Sequence, residues 1–492
     1  MASPSWYERL SAQDRSFLVF EGAHTHMHVG GTSIYELAPL ATPEGGIDID
    51  RIRDFVAAHL HLMPRYRQRL AYVPGTDYPV WVDDDRFNIN YHVRHSSLPR
   101  PGDERQLKRL TGRVMSQQLD RRRPLWEMWF VEGLHGDRCA MIMKSHHCMI
   151  DGVSGLDLMS VLMRPTPETT LEHPRRWGPR RIPTPAELLR DDLRRQAALP
   201  LDIARGAGTA LRAPVQTASR FAESLTGAWH ALRTGLQPPS DTPINGPIGP
   251  YRRCDWTSVD LNDAKAVKNR LGGTINDVII ASVTGGLHRF FQRRRVSLSG
   301  LSFRATVPVN IRTAADRHVM GNRVSAWLME LPLQERHPVK RLRRITEATA
   351  QLKQSHQASG IDLLSELAAV FDPVFTLSLR MASLMHPYNL IITNVVGTPF
   401  PLYFFGARII EGYPIVPLFE NQGLAVGSFS NAGKLFWGFN ADWDLLPDLH
   451  DFVEAVTRSF RELHDAAQGV YAVRQGKRRP HAAPRRTRSR GA

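Results

Sequence analysis

The chain has 492 residues, too many for one ordinary core, and two domains of roughly 150–220 residues are the natural division. Apolar content of 42% and charged content of 23% are normal for a globular protein. The formal net charge is +15, and more than half of it comes from the eight Lys and Arg residues of the acid-free stretch 474–492. A flexible basic tail suits any polyanion, whether anionic lipid, nucleic acid or phosphorylated ligand, and does not choose among them. Cys139, Cys148 and Cys254 form no C-x-x-C pair and no even framework, which excludes a disulfide-built scaffold and suits a reducing compartment.

The first twenty residues hold no charged region followed by a long apolar core, so no signal peptide is expected. "MHVGGTSIYEL" (Met27 to Leu37) has the β-branched character of a strand, as does "CAMIMKSHH" (Cys139 to His147). "IDRIRDFVAAHLHLM" repeats apolar residues at helical spacing, and Gly152 to Met163 reads as a helix leaving the histidine loop. These make a first domain of residues 1–163. Residues 164–250 form a Pro- and Arg-rich linker with two amphipathic helices, "AELLRDDLRRQAALPLDIARG" and "APVQTASRFAESLTGAWHALRTG". Two readings of those helices stand side by side: packing across the domain junction, or lying on a membrane surface. A second domain spans residues 251–473, with strands in Leu301–Arg312 and Lys434–Asp444 and a well-patterned helix in Pro447–Gln468. The remainder, 474–492, reads as a disordered basic tail. Met381 to Ala407 carries no formal charge, yet Pro387, Pro399, Pro401 and Gly397 would break a membrane helix repeatedly. It reads as buried strand, turn and strand, or as the wall of an apolar tunnel.

The chain lacks a G-x-S-x-G elbow, a phosphate-binding G-x-x-x-x-G-K-[ST] loop, G-x-G-x-x-G and H-E-x-x-H, so those hydrolase, nucleotide and zinc-protease chemistries lose their main support. What remains is the adjacent pair His146 and His147 in "MIMKSHHCMIDGVSG". Adjacent residues on an extended segment point to opposite faces, so the pair suits one metal ion poorly. The same alternation lets one imidazole face a cavity while its neighbour packs inward. Asp151 follows in the loop, and Gly152 allows a tight exit.

"HHCMIDG" matches the H-H-x-x-x-D-G signature of the acyltransferase superfamily that resembles chloramphenicol acetyltransferase. Further blocks resemble the bacterial wax ester synthase/diacylglycerol acyltransferase family. They are "LSAQDRSFLVFEGAHTHMHVGG", "RRPLWEMWFVEGL", the Asn276–Asp277 pair of "GGTINDVII", "VPVNIR" and "NLIITNVVGTP". The resemblance runs in order from about Leu10 to Ala467. Asn310 departs from it, standing where the family's P-V-S-x-R block has Ser, and so does "VVGTP".

The resemblance implies a mixed α/β fold of two chloramphenicol acetyltransferase-like domains side by side, with the active-site tunnel at their junction. It implies an acyl-CoA-dependent O-acyltransferase that esterifies diacylglycerol or a long-chain alcohol to triacylglycerol or wax ester. His147 would be the general base, because an alcohol of pKa about 16 attacks a thioester only as a base removes its proton. His146 would support it by packing or orientation. Asp151 would either orient the base or pair with Arg312. Asn276 and Asp277 would shape the active-site floor or cap a helix. Pro124 to Trp126 would pack at the domain junction, and Cys148 would be a small filler. No cofactor and no metal is expected, with acyl-CoA as substrate. The expected partners are acyl-CoA, the lipid alcohol and an anionic membrane or lipid-droplet surface, with no specific nucleic acid. The expected location is cytoplasmic, peripheral at the inner membrane face or the lipid-droplet surface. Two other readings remain: a condensation-type enzyme using a carrier-protein thioester, and a non-catalytic binder of lipid surfaces or nucleic acid.

Overall fold

The computed structural model describes residues 6–149, 158–171, 176–212, 239–310, 324–354 and 386–476. Within these, alternating and near-continuous apolar runs become strands and the 3.6-period runs become helices. A small antiparallel sheet is built from β1 (Glu8–Arg9), β3 (Gln68–Val73) and β4 (Tyr78–Asp83), in the order β1-β4-β3. Between its strands lie α1 (Ala12–Phe20), β2 (His28–Glu36) and α2 (Ile49–His59). After β4 come α3 (Ile89–His92), β5 (Val93–Ser97), α4 (Glu104–Ser116), β6 (Trp126–Leu134) and β7 (Arg138–His146), then α5 (Leu158–Leu162) and β8 (Met163–Arg164).

A long helix, α6 (Pro185–Arg212), leads to the second half. There β9 (Arg252–Asp260), α7 (Leu261–Leu271), α8 (Ile275–Arg293), β10 (Arg304–Asn310), β11 (Val324–Glu330) and α9 (Pro338–Gln354) follow one another. The chain continues with β12 (Leu390–Val396), β13 (Tyr403–Phe404), β14 (Ala407–Ile415), β15 (Leu424–Asn431), β16 (Lys434–Asp442) and α10 (Leu449–Gly476).

The strands expected from sequence around Met27–Leu37, Cys139–His147, Leu301–Arg312 and Lys434–Asp444 are β2, β7, β10 and β16. The fold is mixed α/β with two sheet-rich domains. The second carries a six-stranded sheet, β11-β10-β12-β15-β16-β9, packed on α8 and α10 through a core that includes Phe290, Phe303, Trp437, Phe439 and Phe452. The first carries a seven-stranded sheet, β5-β6-β7-β2-β14-β13-β8. Two strands of that sheet, β13 and β14, come from the far end of the chain. Tyr413 lies opposite Thr32 of β2, so the second half completes the sheet that carries the histidine pair.

The crossing strand also fixes how the halves meet. Tyr413 of β14 stacks on Trp256 of β9 at 5.0 Å and meets Phe436 of β16 edge-on at 5.5 Å. This aromatic group shares one core with Ile34, Ile142 and the α4 residues Leu107, Leu110 and Val114. At Gly438 of β16 a Cβ would sit 1.8 Å from the Pro414 carbonyl oxygen, so the strands approach this closely only because glycine stands there.

Two expectations change. The first part of α6 does not bridge the domain junction. Leu188 packs with Val73, Val80 and Val82 on the small sheet, and Asp192 pairs with Arg9 at 2.6 Å. The second linker helix lies outside the described residues, as does the tail beyond Gly476. Leu125 and Trp126 are core residues of the first domain rather than junction residues. Trp126 stacks on His92 at 4.6 Å and donates to the Tyr66 carbonyl at 2.9 Å. The uncharged segment, described from His386, is strand, turn and strand: β12 runs between β10 and β15, and Gly397 donates to the Ser430 carbonyl. Among the described residues no helix is long and apolar enough to cross a membrane.

Candidate active site

The site begins at the end of β7. His146 is the last ladder residue, opposite His28 of β2, and the chain then turns through a short 3-10 segment, His147–Met149. Two backbone bonds hold the transition: His146 N–H donates to the Leu125 carbonyl at 2.9 Å, and His147 N–H to the Met27 carbonyl at 2.8 Å. The P-L-W and M-H-V-G blocks therefore act through their backbones, clamping the strand end from both sides.

The N-terminal S-x-x-D-x-x-F-L block is α1. Ser11 caps the helix by accepting from Asp14 N–H at 3.0 Å. Asp14, Phe17 and Glu21 follow at helical spacing, on one face. Phe17 lays its ring on the His147 imidazole, with centroids 3.8 Å apart and planes 15° from parallel. Nδ1 of His147 is buried and finds no hydrogen-bond partner among the described residues. Burial lowers His147 from its ordinary 6.5 to about 4; its own carbonyl opposes that shift and His146 adds to it. The ring is consequently neutral at neutral pH, the state a proton acceptor requires.

His146 is fully buried and held differently. Its Nδ1 accepts from Cys148 N–H at 3.2 Å and lies 2.9 Å from the Cys148 thiol. Nδ1 thus carries no hydrogen, which puts the ring proton on Nε2, 3.5 Å from a carboxylate oxygen of Glu21. The Glu21 side chain is itself 1% exposed and accepts from Arg121 Nε at 2.9 Å. Burial alone would raise this carboxyl, but His146 and Arg121 outweigh it and hold it at about 2. Behind it lie two further buried imidazoles, His26 and His28, stacked at 5.3 Å. Leu119 N–H donates to His28 Nε2 at 3.3 Å. Burial pushes His26 down to about 4 and His28 well below its usual value. Lys144, 1% exposed, closes the cluster by donating to the Val114 and Gln117 carbonyls at the C-terminal end of α4. The second half reaches the same place: Arg252 donates to the His24 carbonyl, and Thr25 donates to Glu420 at 3.0 Å.

Comparison with known proteins identifies the family. Residues 10–279 match the wax ester synthase/diacylglycerol acyltransferase catalytic domain, and residues 320–464 match the C-terminal domain of the same family. The chain belongs to the wax ester synthase/diacylglycerol acyltransferase family. It is 34% identical to a Mycobacterium tuberculosis protein named for diacylglycerol O-acyltransferase activity, over 94% of this chain and 91% of that one. A Mycobacterium bovis protein named in the same way is 31% identical, over 92% of this chain and 98% of its own. Among solved structures, the wax ester synthase/diacylglycerol acyltransferase from Marinobacter aquaeolei VT8 has a TM-score of 0.66 at 24% identity. That match covers 94% of this chain and all of the other. The starter condensation domain of rhizomide synthetase shares the fold at a TM-score of 0.57 and 14% identity, covering 94% of each chain. The protein is therefore an acyltransferase, and the carrier-linked condensation enzymes are distant structural relatives.

Of the residues marked by the sequence, His146 and His147 stand together as described. Asp151, Gly152 and Arg312 lie outside the described residues. Asp277 closes a capping box at the start of α8: it accepts from Thr274 N–H at 2.8 Å, and its second oxygen accepts from Thr349 at 2.9 Å. Of the two readings for this pair, helix capping is what these contacts of Asp277 display. Asn276 is half-buried beside it. The Cys148 thiol is raised well above its usual value by burial, with Asp14 and Glu21 adding to it, so it stays protonated and packs. Among the described residues no group of three or more potential ligands is placed to hold a metal ion. Sequence reasoning missed Glu21, Phe17 and Arg121 as neighbours of the pair. The available signal was the helical spacing of Phe17 and Glu21 within a block already noted.

The electrostatics fix a pH dependence. A group whose pKa is lower in the folded than in the unfolded state favours folding above its unfolded pKa and ceases to as pH falls through its folded one. For His26 and His147 that window is 6.5 to about 4, and for Glu21 it is 4.5 to about 2. Tm should accordingly decline as pH drops below 6.5. His147→Gln should make the decline between pH 6.5 and 4 shallower; an unchanged slope would show that His147 is not buried neutral.

Proposed function

We propose that the protein transfers an acyl group from a long-chain acyl-CoA to the hydroxyl of diacylglycerol or a long-chain alcohol, with His147 as general base. The observation that carries this reading is the neutral imidazole stacked on Phe17 at the mouth of the turn after β7, in a chain of this family. With Nδ1 buried, Nε2 is the nitrogen available to a substrate hydroxyl. It takes the alcohol proton as the oxygen attacks the thioester carbonyl. The tetrahedral intermediate then expels the CoA thiolate, which recovers the proton from the imidazolium. No net proton is consumed and no acyl-enzyme forms. The desolvation that keeps the base neutral also makes its charged form costly, which favours keeping the imidazolium beside the oxyanion that develops with it.

Residues 1–163 and 251–473 would be the two acyltransferase domains, with residues 403–415 lent by the second to the first. The substrates would enter a tunnel where they meet. Asn276 would lie on its floor with Asp277 setting the helix start. Asp151 and Arg312 would form a structural ion pair.

The lipid substrates place the enzyme at an anionic membrane or lipid-droplet surface. The solvent face of α6 supports this, since Leu189 and Leu193 are exposed beside Arg190, Arg194 and Arg195. The basic tail supplies further attraction, about 1 kcal/mol for each Lys or Arg near the surface.

Four measurements test these statements. Purified protein given palmitoyl-CoA and a panel of alcohols and diacylglycerols should release free thiol and form the matching ester. His147→Ala should lose nearly all of that release with its melting unchanged, and retained activity would remove the base assignment. Asp151→Ala should lower stability by about 3–5 kcal/mol by stranding a buried guanidinium; normal melting with lost activity would assign Asp151 to orienting the base. A chain lacking Arg474 to Ala492 should keep its turnover of a short soluble alcohol but bind anionic liposomes less tightly at low salt. Undiminished binding would leave α6 as the anchor.

A further inference from the structure

We propose that Glu21 is the positioning residue of the catalytic base, acting through His146. The inference rests on the reading of His147 as that base. Glu21 follows directly on the last residue of α1, and its buried carboxylate stands where α1, the segment leading into β6 and the end of β7 meet. One oxygen receives Arg121, from the segment leading into β6; the other faces Nε2 of His146 at 3.5 Å. Because Cys148 N–H occupies the opposite nitrogen, the proton of the neutral His146 ring sits on Nε2, and this ring orientation turns it toward the carboxylate at 3.5 Å. That ring therefore sets the geometry of the 146–148 turn, and the turn sets the direction of His147.

The same residue also locates the other side of the base. Phe17, one helical turn before Glu21, stacks on the His147 ring, so docking the carboxylate against His146 docks Phe17 against His147. The imidazole is held by a ring on its face and a turn at its root, and a single side chain registers the two. Glu21 reaches no substrate in this arrangement. Its contribution is to orientation, and misplacing a reacting group by about 1 Å can cost about 100-fold in rate.

The test is a set of Glu21 and His146 variants in full-length protein, assayed for thiol release from palmitoyl-CoA with a soluble alcohol. Glu21→Ala should lower kcat about 100-fold, with KM for the acyl-CoA within about twofold of wild type. Glu21→Gln keeps the shape and an acceptor for Arg121, so it guards against a folding defect and should recover part of the rate. The double variant Glu21→Ala/His146→Gln should be no slower than the slower single variant, because the carboxylate acts through the ring. Wild-type kcat in both Glu21 variants overturns the assignment. So does a double variant whose loss is the product of the single losses, which would show that Glu21 acts independently of His146. If His147→Ala is itself active, the general-base reading has failed. If His147→Ala is inactive while the Glu21 variants are active, only the positioning role has.

Discussion

Desolvation of the imidazoles at the end of β7 is the constraint on which the rest of the structure depends. A histidine in water is protonated for much of the range below neutrality, whereas His147 is driven down to about 4 by burial against Phe17 and the surrounding turn. Removing that much water from a polar group is unfavourable unless its neighbours are arranged to offset it. The arrangement here is a cluster of buried polar groups, Glu21 at the end of α1, His26 just before β2 and His28 at its start, and Lys144 and His146 on β7, braced from outside by Arg121 and Arg252. The helix α1, the strand pair β2 and β7, the end of α4 and the start of β9 all contribute members or contacts.

That requirement explains why the second half of the chain enters the first sheet. If the first sheet ended at β2, the strand that begins at His28 would be an edge, with the backbone of residues 30–35 open to water. β14 covers that edge, and the aromatic group of Tyr413, Trp256 and Phe436 seals the join. The site is therefore a property of both halves. The close approach at Gly438 belongs to the same logic, since a wider gap between β14 and β16 would admit water to the join.

The proton chemistry expected of the family needs a base that is neutral, oriented and shielded, and these demands pull against each other. Shielding lowers basicity, so an imidazolium formed at His147 during transfer would depend on opposite charge arising beside it. The fixed negative charge of Glu21 sits one residue back, against His146. In the proposed arrangement it organises the turn without touching His147.

By itself the sequence determined much of the local structure and the family. The alternation in Met27–Leu37 and Cys139–His147 is what an extended chain with one or two buried faces requires, and β2 and β7 form there. Phe452, Val456, Phe460 and Leu463 recur at helical spacing, and α10 buries that stripe. The H-H-x-x-x-D-G spacing, with the blocks around it, pointed to the family because a motif of this kind is read from neighbouring positions. What the sequence left undecided is everything that depends on partners distant along the chain. A strand pattern in Ala407–Ile415 says that a strand forms, and nothing in it says that its hydrogen-bonding partner is β2. The amphipathic start of α6 has an apolar face, but only packing assigns that face to Val73, Val80 and Val82. Glu21 is an ordinary acidic residue at a helix end until the fold buries it beside His146 and Arg121. Periodicity and capping are local and can be read from neighbouring residues, whereas sheet partners, burial and buried charge pairs arise only when distant segments exclude water together, and that the tertiary structure decides.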